Sequence, residues 1–169
     1  MKIRRAVEED AVLLPEIERS AGKAFLSIPG LEWVSSDEVW SAAEHLDWME
    51  RAMTWVAESD QGKLAGFLIA EVFGGDLHIW EISVHANVQG QGIGRQLMEV
   101  AQHYGRDAGL TALTLTTFRE LKFNEQFYAR LGFQTLGTDQ IPDRLARILD
   151  KEVEEGLPRA RRCAMKMAI

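Results

Sequence analysis

A chain of 169 residues that is 46% hydrophobic and 27% charged suits one globular domain with a sizeable core. Its single cysteine, Cys163, excludes an internal disulfide, and four histidines without helical pairing offer no metal cluster. The net charge is −7, and all of it arises in residues 1–60, where 13 Asp/Glu face 6 Lys/Arg, so nucleic acid, which needs a basic face, is a poor partner.

Residues 2–7 (KIRRAV) predict a short edge strand. Val12, Leu13, Ile17 and Ala21 recur at helical spacing, which predicts a helix from Glu8 to Ala21 with Gly22 as its stop. The stretch 22–35, with Pro29 and Gly30, reads as irregular, and Ser36 with Asp37 as the cap of a helix reaching Arg51. Strands at 54–58 and 63–73 flank a turn at Asp60–Gly62, and a Gly74-Gly75-Asp76 turn leads into a third strand, 77–84. The pattern then alternates: helix 93–108, strand 111–117, helix 121–131, strand 133–138, helix 142–154 and strand 161–168. Three strands in a meander followed by alternating elements imply a single α+β domain over 1–169. The expected form is a three-layer sandwich, with a mixed, mostly antiparallel central sheet flanked by helices. No apolar run spans a bilayer, and MKIRRAVEEDAVLL meets acids before any apolar stretch, unlike a signal peptide. A cytoplasmic location without membrane attachment follows as the default.

The most informative segment is Val84-His85-Ala86-Asn87-Val88-Gln89-Gly90-Gln91-Gly92-Ile93-Gly94-Arg95, which runs from a strand into a helix. Glycines at alternate positions let the backbone approach a ligand and turn its N–H groups toward a helix start, an arrangement that binds phosphate. Arg95 in the first helical turn opposes the helix dipole unless an anion is bound there. A Walker A loop is excluded because its Gly-Lys-Ser/Thr is missing, and the dinucleotide fingerprint fails because Arg95 stands where its third glycine belongs. A glycine-rich turn with no ligand is the remaining alternative.

Gln89-Gly90-Gln91-Gly92-Ile93-Gly94 resembles the Gln/Arg-x-x-Gly-x-Gly/Ala signature of the GNAT superfamily of N-acetyltransferases. Downstream, Asn124-Glu125-Gln126-Phe127-Tyr128-Ala129-Arg130-Leu131-Gly132-Phe133 resembles that family's Asn…Phe-Tyr-x-x-x-Gly-Phe segment. The likeness covers about residues 53–138, and the N-terminal third matches in pattern only. Ala86 departs from the family, which often has proline there.

The resemblance implies acetyl-CoA as co-substrate, without metal, and direct attack by an amine in a ternary complex. It places the pyrophosphate on the amides of Gln89, Gly90, Gln91, Gly92, Ile93, Gly94 and Arg95. The amides of Ile82, Ser83 and Val84 would orient the thioester arm, with Val84 nearest the acetyl carbonyl, and Asn124 would touch the arm. Tyr128 matches the position of the acid that protonates the departing thiolate, with Phe127 beside it as the core aromatic. An amine with a pKa near 10.4 must lose a proton before it attacks, so a base is required. Strand alternation puts Leu77, Ile79, Glu81 and Ser83 on one face, where desolvation would raise the pKa of Glu81; His85 is the rival base.

The first two helices, the 22–35 loop and residues 117–123 would form the acceptor site, with Trp33, Trp40, Trp48 and Phe118 as an aromatic wall. Glu32, Asp37 and Glu44 would favour a cationic small-molecule or peptide amine. A solvated acidic helical surface accounts for the same charges. Many members of the family dimerise, which makes a homodimer an expectation. A non-catalytic acyl-CoA-binding domain on the same scaffold is the alternative from another class.

Overall fold

The computed structural model describes residues 1–169, whose strands lie in the order β1-β2-β3-β4-β5-β7-β6. Two compact units share the chain, one made of residues 1–71 and 81–101, the other of residues 72–80 and 102–169.

In the first unit β1 (Lys2–Arg5) and β2 (Met53–Glu58) pair antiparallel, with Ile3 opposite Ala57. Strand β3 (Leu64–Phe73) pairs antiparallel with β2 through the expected turn, closed by Ser59 N–H on the Lys63 carbonyl and by Gly62 at φ 75°. Helix α1 is shorter than predicted, Leu14–Gly22, because Pro15 belongs in a first turn and would break a helix interior. Its apolar stripe buries Leu14 and Ile17 and carries Ser20 inward. The helix ends at Gly22 as expected, but that residue is right-handed helical rather than a left-handed terminator, and the chain continues into a 3-10 turn, Lys23–Ser27. A second 3-10 turn covers Glu32–Ser36 and ends on Asp37, so Ser36 and Asp37 do not cap α2. Helix α2 (Ala42–Arg51) is capped instead by Ser41, whose Oγ accepts the Glu44 amide at 3.2 Å while Glu44 accepts the Ser41 amide at 2.7 Å.

A charge cluster ties β1 to the start of the first helical region. Arg4 donates to both Asp10 carboxylate oxygens (2.7 and 3.0 Å) and to Glu58 (2.7 Å), and Asp10 also accepts the Val7 amide at 2.8 Å. Burial alone would raise the Asp10 pKa, but the Arg4 and Val7 bonds outweigh it and hold the carboxyl below its usual value. Asp10→Asn should therefore destabilise the protein by about 1.5–3 kcal/mol at pH 7, the worth of charged hydrogen bonds. A carboxylate with a depressed folded pKa stabilises above its unfolded value, near 3.9, and loses that contribution as pH falls through the folded pKa. Denaturant unfolding at pH 7 and across the acid range checks this, and a gap between the two proteins that stays constant with pH contradicts it.

In the second unit β4 (Asp76–Val84), which reaches into the first from Glu81 onward, pairs in parallel with β5 (Ala112–Phe118) over Asp76–His78 only. Strand β5 then pairs antiparallel with β7 (Arg162–Ala168) along its full length, and β7 with the two-residue β6 (Gln134–Thr135). Helix α3 (Ile93–Asp107) links the units in sequence. Helix α4 is Glu125–Leu131, not 121–131, because Glu120 sits at φ 63° and Asn124 is non-helical. Helix α5 (Asp143–Glu154) buries Leu145 and Leu149 against Ala164, with Leu136, Ile141 and Ile148 around them. No helix is long and apolar enough to cross a membrane.

Candidate active site

Alternation along β4 puts Glu81 and Ser83 on one face, and Ser83 Oγ donates to the Glu81 carboxylate at 2.7 Å. Ser83 is buried and Glu81 half-buried. The backbone of β3 comes unusually close here: a Cβ on Gly66 would lie 2.8 Å from the Ser83 carbonyl oxygen, so only glycine fits. His85 N–H continues the contact by donating to the Ala65 carbonyl at 2.8 Å. A lone glycine inside a strand, as Gly66 is in β3, is the sequence signal of such an approach.

The loop after β4 is held from three sides. Gln89 Nε2 donates to the Val84 carbonyl at 2.9 Å, which turns its side chain back onto the strand. His85 Nδ1 accepts the Asn87 amide at 3.3 Å and caps the 3-10 turn Ala86–Val88, so this ring nitrogen is engaged locally. The Ala86 amide donates to the buried Ser20 Oγ of α1 at 3.0 Å. Proline, which has no N–H, would forfeit that bond, and this accounts for the departure from the family pattern. Nothing near Ser20 in the sequence announces the contact.

Gly90 and Gly92 lie at φ 76° and 81°, and a Cβ at either would meet nothing within 4 Å. Their left-handed backbone, rather than crowding, is what demands glycine. The Gly92 carbonyl accepts the Gln96 amide at 3.0 Å and begins α3, so the amides of Ile93, Gly94 and Arg95 have no carbonyl in the helix. That end carries the positive pole of the dipole, suited to an anion. Arg95 proves a weaker indicator than its position suggests, because its Nε bonds Glu99 at 2.9 Å, an exposed pair that offsets the charge locally.

In the second unit Asn124 stands at the start of α4, with Nδ2 donating to Thr117 Oγ1 at 2.9 Å and a buried Oδ1 that has no partner. Such an orphaned acceptor suits a ligand N–H. Tyr128, one turn on, is 8% exposed and packs edge-on against Phe127 and Phe133 at 5.1 and 5.8 Å. Phe127 is only half-buried, so the expected core aromatic and the expected functional one exchange places in burial. His78 is buried against Thr114, and burial, reinforced by the Arg144 charge, pushes its pKa down to about 3. It therefore stays neutral at physiological pH.

The expected acceptor wall divides. Trp40 and Trp48 pack with ring centroids 5.1 Å apart at a 43° tilt, with Arg51 lying 3.8 Å over Trp48, whereas Trp33 is 40% exposed. Phe118 is buried beneath the Arg162 guanidinium at 4.6 Å. The three acids bond local backbone: Glu32 accepts Gly30 N–H, Asp37 accepts Glu38 N–H, and Glu44 caps α2. The Ser41 amide and hydroxyl hold the Glu44 pKa below its ordinary value.

A mixed, mostly antiparallel seven-stranded sheet whose fourth strand leads through a left-handed glycine loop into a helix defines the GNAT fold. The acetyltransferase (GNAT) family pattern matches residues 23–133, and the chain belongs to that family. It is similar to the mycothiol acetyltransferase of Rhodococcus opacus, with 32% identity over 154 residues, 82% of this chain and 47% of that protein. It also resembles the peptidyl-lysine N-acetyltransferase YjaB of Salmonella typhimurium, with 31% identity over 57% of this chain and 61% of that one. The chain thus spans about half to three-fifths of the length of these two relatives. Among solved structures, the PaiA N-acetyltransferase of Thermoplasma acidophilum in complex with coenzyme A superposes with a TM-score of 0.77. At 19% identity, over 99% of this chain and 98% of that one, it shares the fold.

Proposed function

We propose that the protein transfers the acetyl group of acetyl-CoA to an amine, with residues 1–169 acting as one catalytic domain. The observation that carries this reading is the left-handed Gly90–Gly92 loop, which leaves the first-turn amides of α3 open at the end of the strand bearing Glu81 and Ser83. When bound, acetyl-CoA supplies the activated thioester; the chain's own groups bind, orient and move protons. The amides of Gln89 through Arg95 hold the pyrophosphate, and those of Ile82 through Val84 align the acetyl arm. Val84 N–H polarises the acetyl carbonyl. The orphaned Asn124 Oδ1 receives an amide N–H of the arm. Glu81, steadied by Ser83, takes the ammonium proton through water, and Tyr128 donates a proton to the leaving thiolate.

The acceptor enters as an ammonium, which the acidic first 60 residues attract. The buried free thiol of Cys163 accords with a cytoplasmic enzyme. Calorimetry with coenzyme A and turnover with a panel of amines test the assignment. Tight binding with no turnover of any amine would favour a non-catalytic acyl-CoA-binding domain.

Glu81→Gln keeps the shape and the Ser83 contact but removes the base. Its kcat/KM should fall about 10²–10⁴-fold near neutral pH and recover in part at alkaline pH, where free amine is abundant. A parallel loss at every pH, accompanied by a lower Tm, would instead make Glu81 structural.

A further inference from the structure

Pairing between β5 and β7 sets Phe118 opposite Arg162 and gathers four arginines at one end of the second unit. The Arg119 amide donates to the Arg161 carbonyl at 2.8 Å. Arg119 Nε and Arg159 Nη1 then converge on a single acceptor, the Arg162 carbonyl oxygen, at 2.9 and 3.3 Å. Arg162 itself is neutralised, with Glu152 taking two of its N–H groups at 3.0 and 2.9 Å while the guanidinium covers Phe118. Arg119 and Arg159 have no carboxylate partner.

Glu125, whose charge reaches the neighbouring Cys163, has both oxygens engaged elsewhere, accepting the Glu120 amide and the Thr135 hydroxyl. Nor does the neighbouring thiol supply an anion. Burial, then Glu125, pushes Cys163 up to about 11 against the opposing pull of the arginines, so it stays protonated. Two guanidiniums held side by side on one neutral oxygen repel each other, and each retains further N–H donors. In a chain of net charge −7, this is a cationic fork without a counter-charge. Arg119 is half-buried and is followed by Glu120 at φ 63°, a left-handed conformation that fixes how the chain leaves β5.

Residues 117–123 are expected, together with the first two helices and the 22–35 loop, to line the acceptor site. We propose that Arg119 and Arg159 clamp an anionic group, a carboxylate or a phosphate, carried by the amine acceptor, which makes that acceptor zwitterionic. Planar guanidinium forks match both anions in paired hydrogen bonds. The inference rests on the acetyltransferase reading for its acceptor, while the clamp itself has a direct readout.

The direct test follows the arginine Nε–H resonances of coenzyme A-saturated protein, whose phosphate loop is already filled, as inorganic phosphate or acetate is added at constant ionic strength. Shifts at Arg119 and Arg159 that are lost in Arg119→Gln/Arg159→Gln support the clamp, and the anion acting at lower concentration identifies its chemistry. Resonances unmoved by both anions overturn it, whether or not any amine is acetylated. Turnover is read on matched pairs, alanine against alaninamide and phosphoethanolamine against ethanolamine. The native protein should prefer one charged member by about tenfold or more, the worth of one charged hydrogen-bonded contact. The double variant should lose that preference at unchanged KM for acetyl-CoA. The single Arg159→Gln, at an exposed position, guards against misfolding and should lose part of it. Equal or better use of the neutral members by the native protein refutes the proposal.

Discussion

Tyr128→Phe should lower kcat by about 10²–10⁴-fold while changing the affinity for coenzyme A little, the loss typical of a removed general acid. The substitution deletes one hydroxyl and keeps the ring, whose edge-on packing against Phe127 and Phe133 holds the 8%-exposed side chain in place. The first turn of α4 survives as well, because the Tyr128 amide bonds the Asn124 carbonyl at 3.0 Å through the backbone. What disappears is the proton for a thiolate whose conjugate acid has a pKa near 8.5. A thioester built on a more acidic thiol needs that proton less and should recover part of the lost rate. Steady-state kinetics with both donors, beside calorimetry for coenzyme A, gives the comparison. Equal kcat in the two proteins removes Tyr128 from the chemistry.

Gly92→Val should weaken coenzyme A binding by about 100-fold or more, the worth of two lost charged hydrogen bonds. At φ 81° a β-branched residue is strained whatever the space, at a cost of about 1–3 kcal/mol. A Cβ there meets nothing within 4 Å, so the strain can be relieved only by the backbone, and the backbone carries the amides. The same residue's carbonyl starts α3, so re-aiming it also disturbs the first helical turn. Gly92→Asn, which tolerates the left-handed region, should retain more affinity than Gly92→Val. Gly66→Ala is a useful contrast, because there the added Cβ presses on the Ser83 carbonyl at 2.8 Å and stability should suffer directly. Calorimetry on a folded Gly92→Val protein with native affinity would overturn the phosphate-loop assignment.

The features legible from the residues alone were those whose cause is local. Gly62 and Gly74, at φ 75° and 59°, mark turns because only glycine accepts their backbone freely, and that placed the meander. Gly90 and Gly92 followed by the apolar spacing of α3 gave the loop and its helix for the same reason. Pro15 and the Ser41–Glu44 capping box are equally local signals for the starts of α1 and α2, and they outrank the hydrophobic spacing from Glu8 and the Ser36–Asp37 pair.

Other features depend on residues far apart in the chain. The Ala86 amide meets Ser20 across 66 positions, and Arg4 meets Glu58 across 54, so nothing beside either residue foretells its partner. Whether an acid such as Glu44 faces a ligand or caps its own helix is likewise settled by which donor the backbone brings within 3 Å. Arg119 and Arg159 are unrelated charges 40 positions apart until the β5–β7 register sets Phe118 against Arg162. That register is chosen by which faces of both strands must be buried together, and a shift of one residue would turn every side chain to the opposite face.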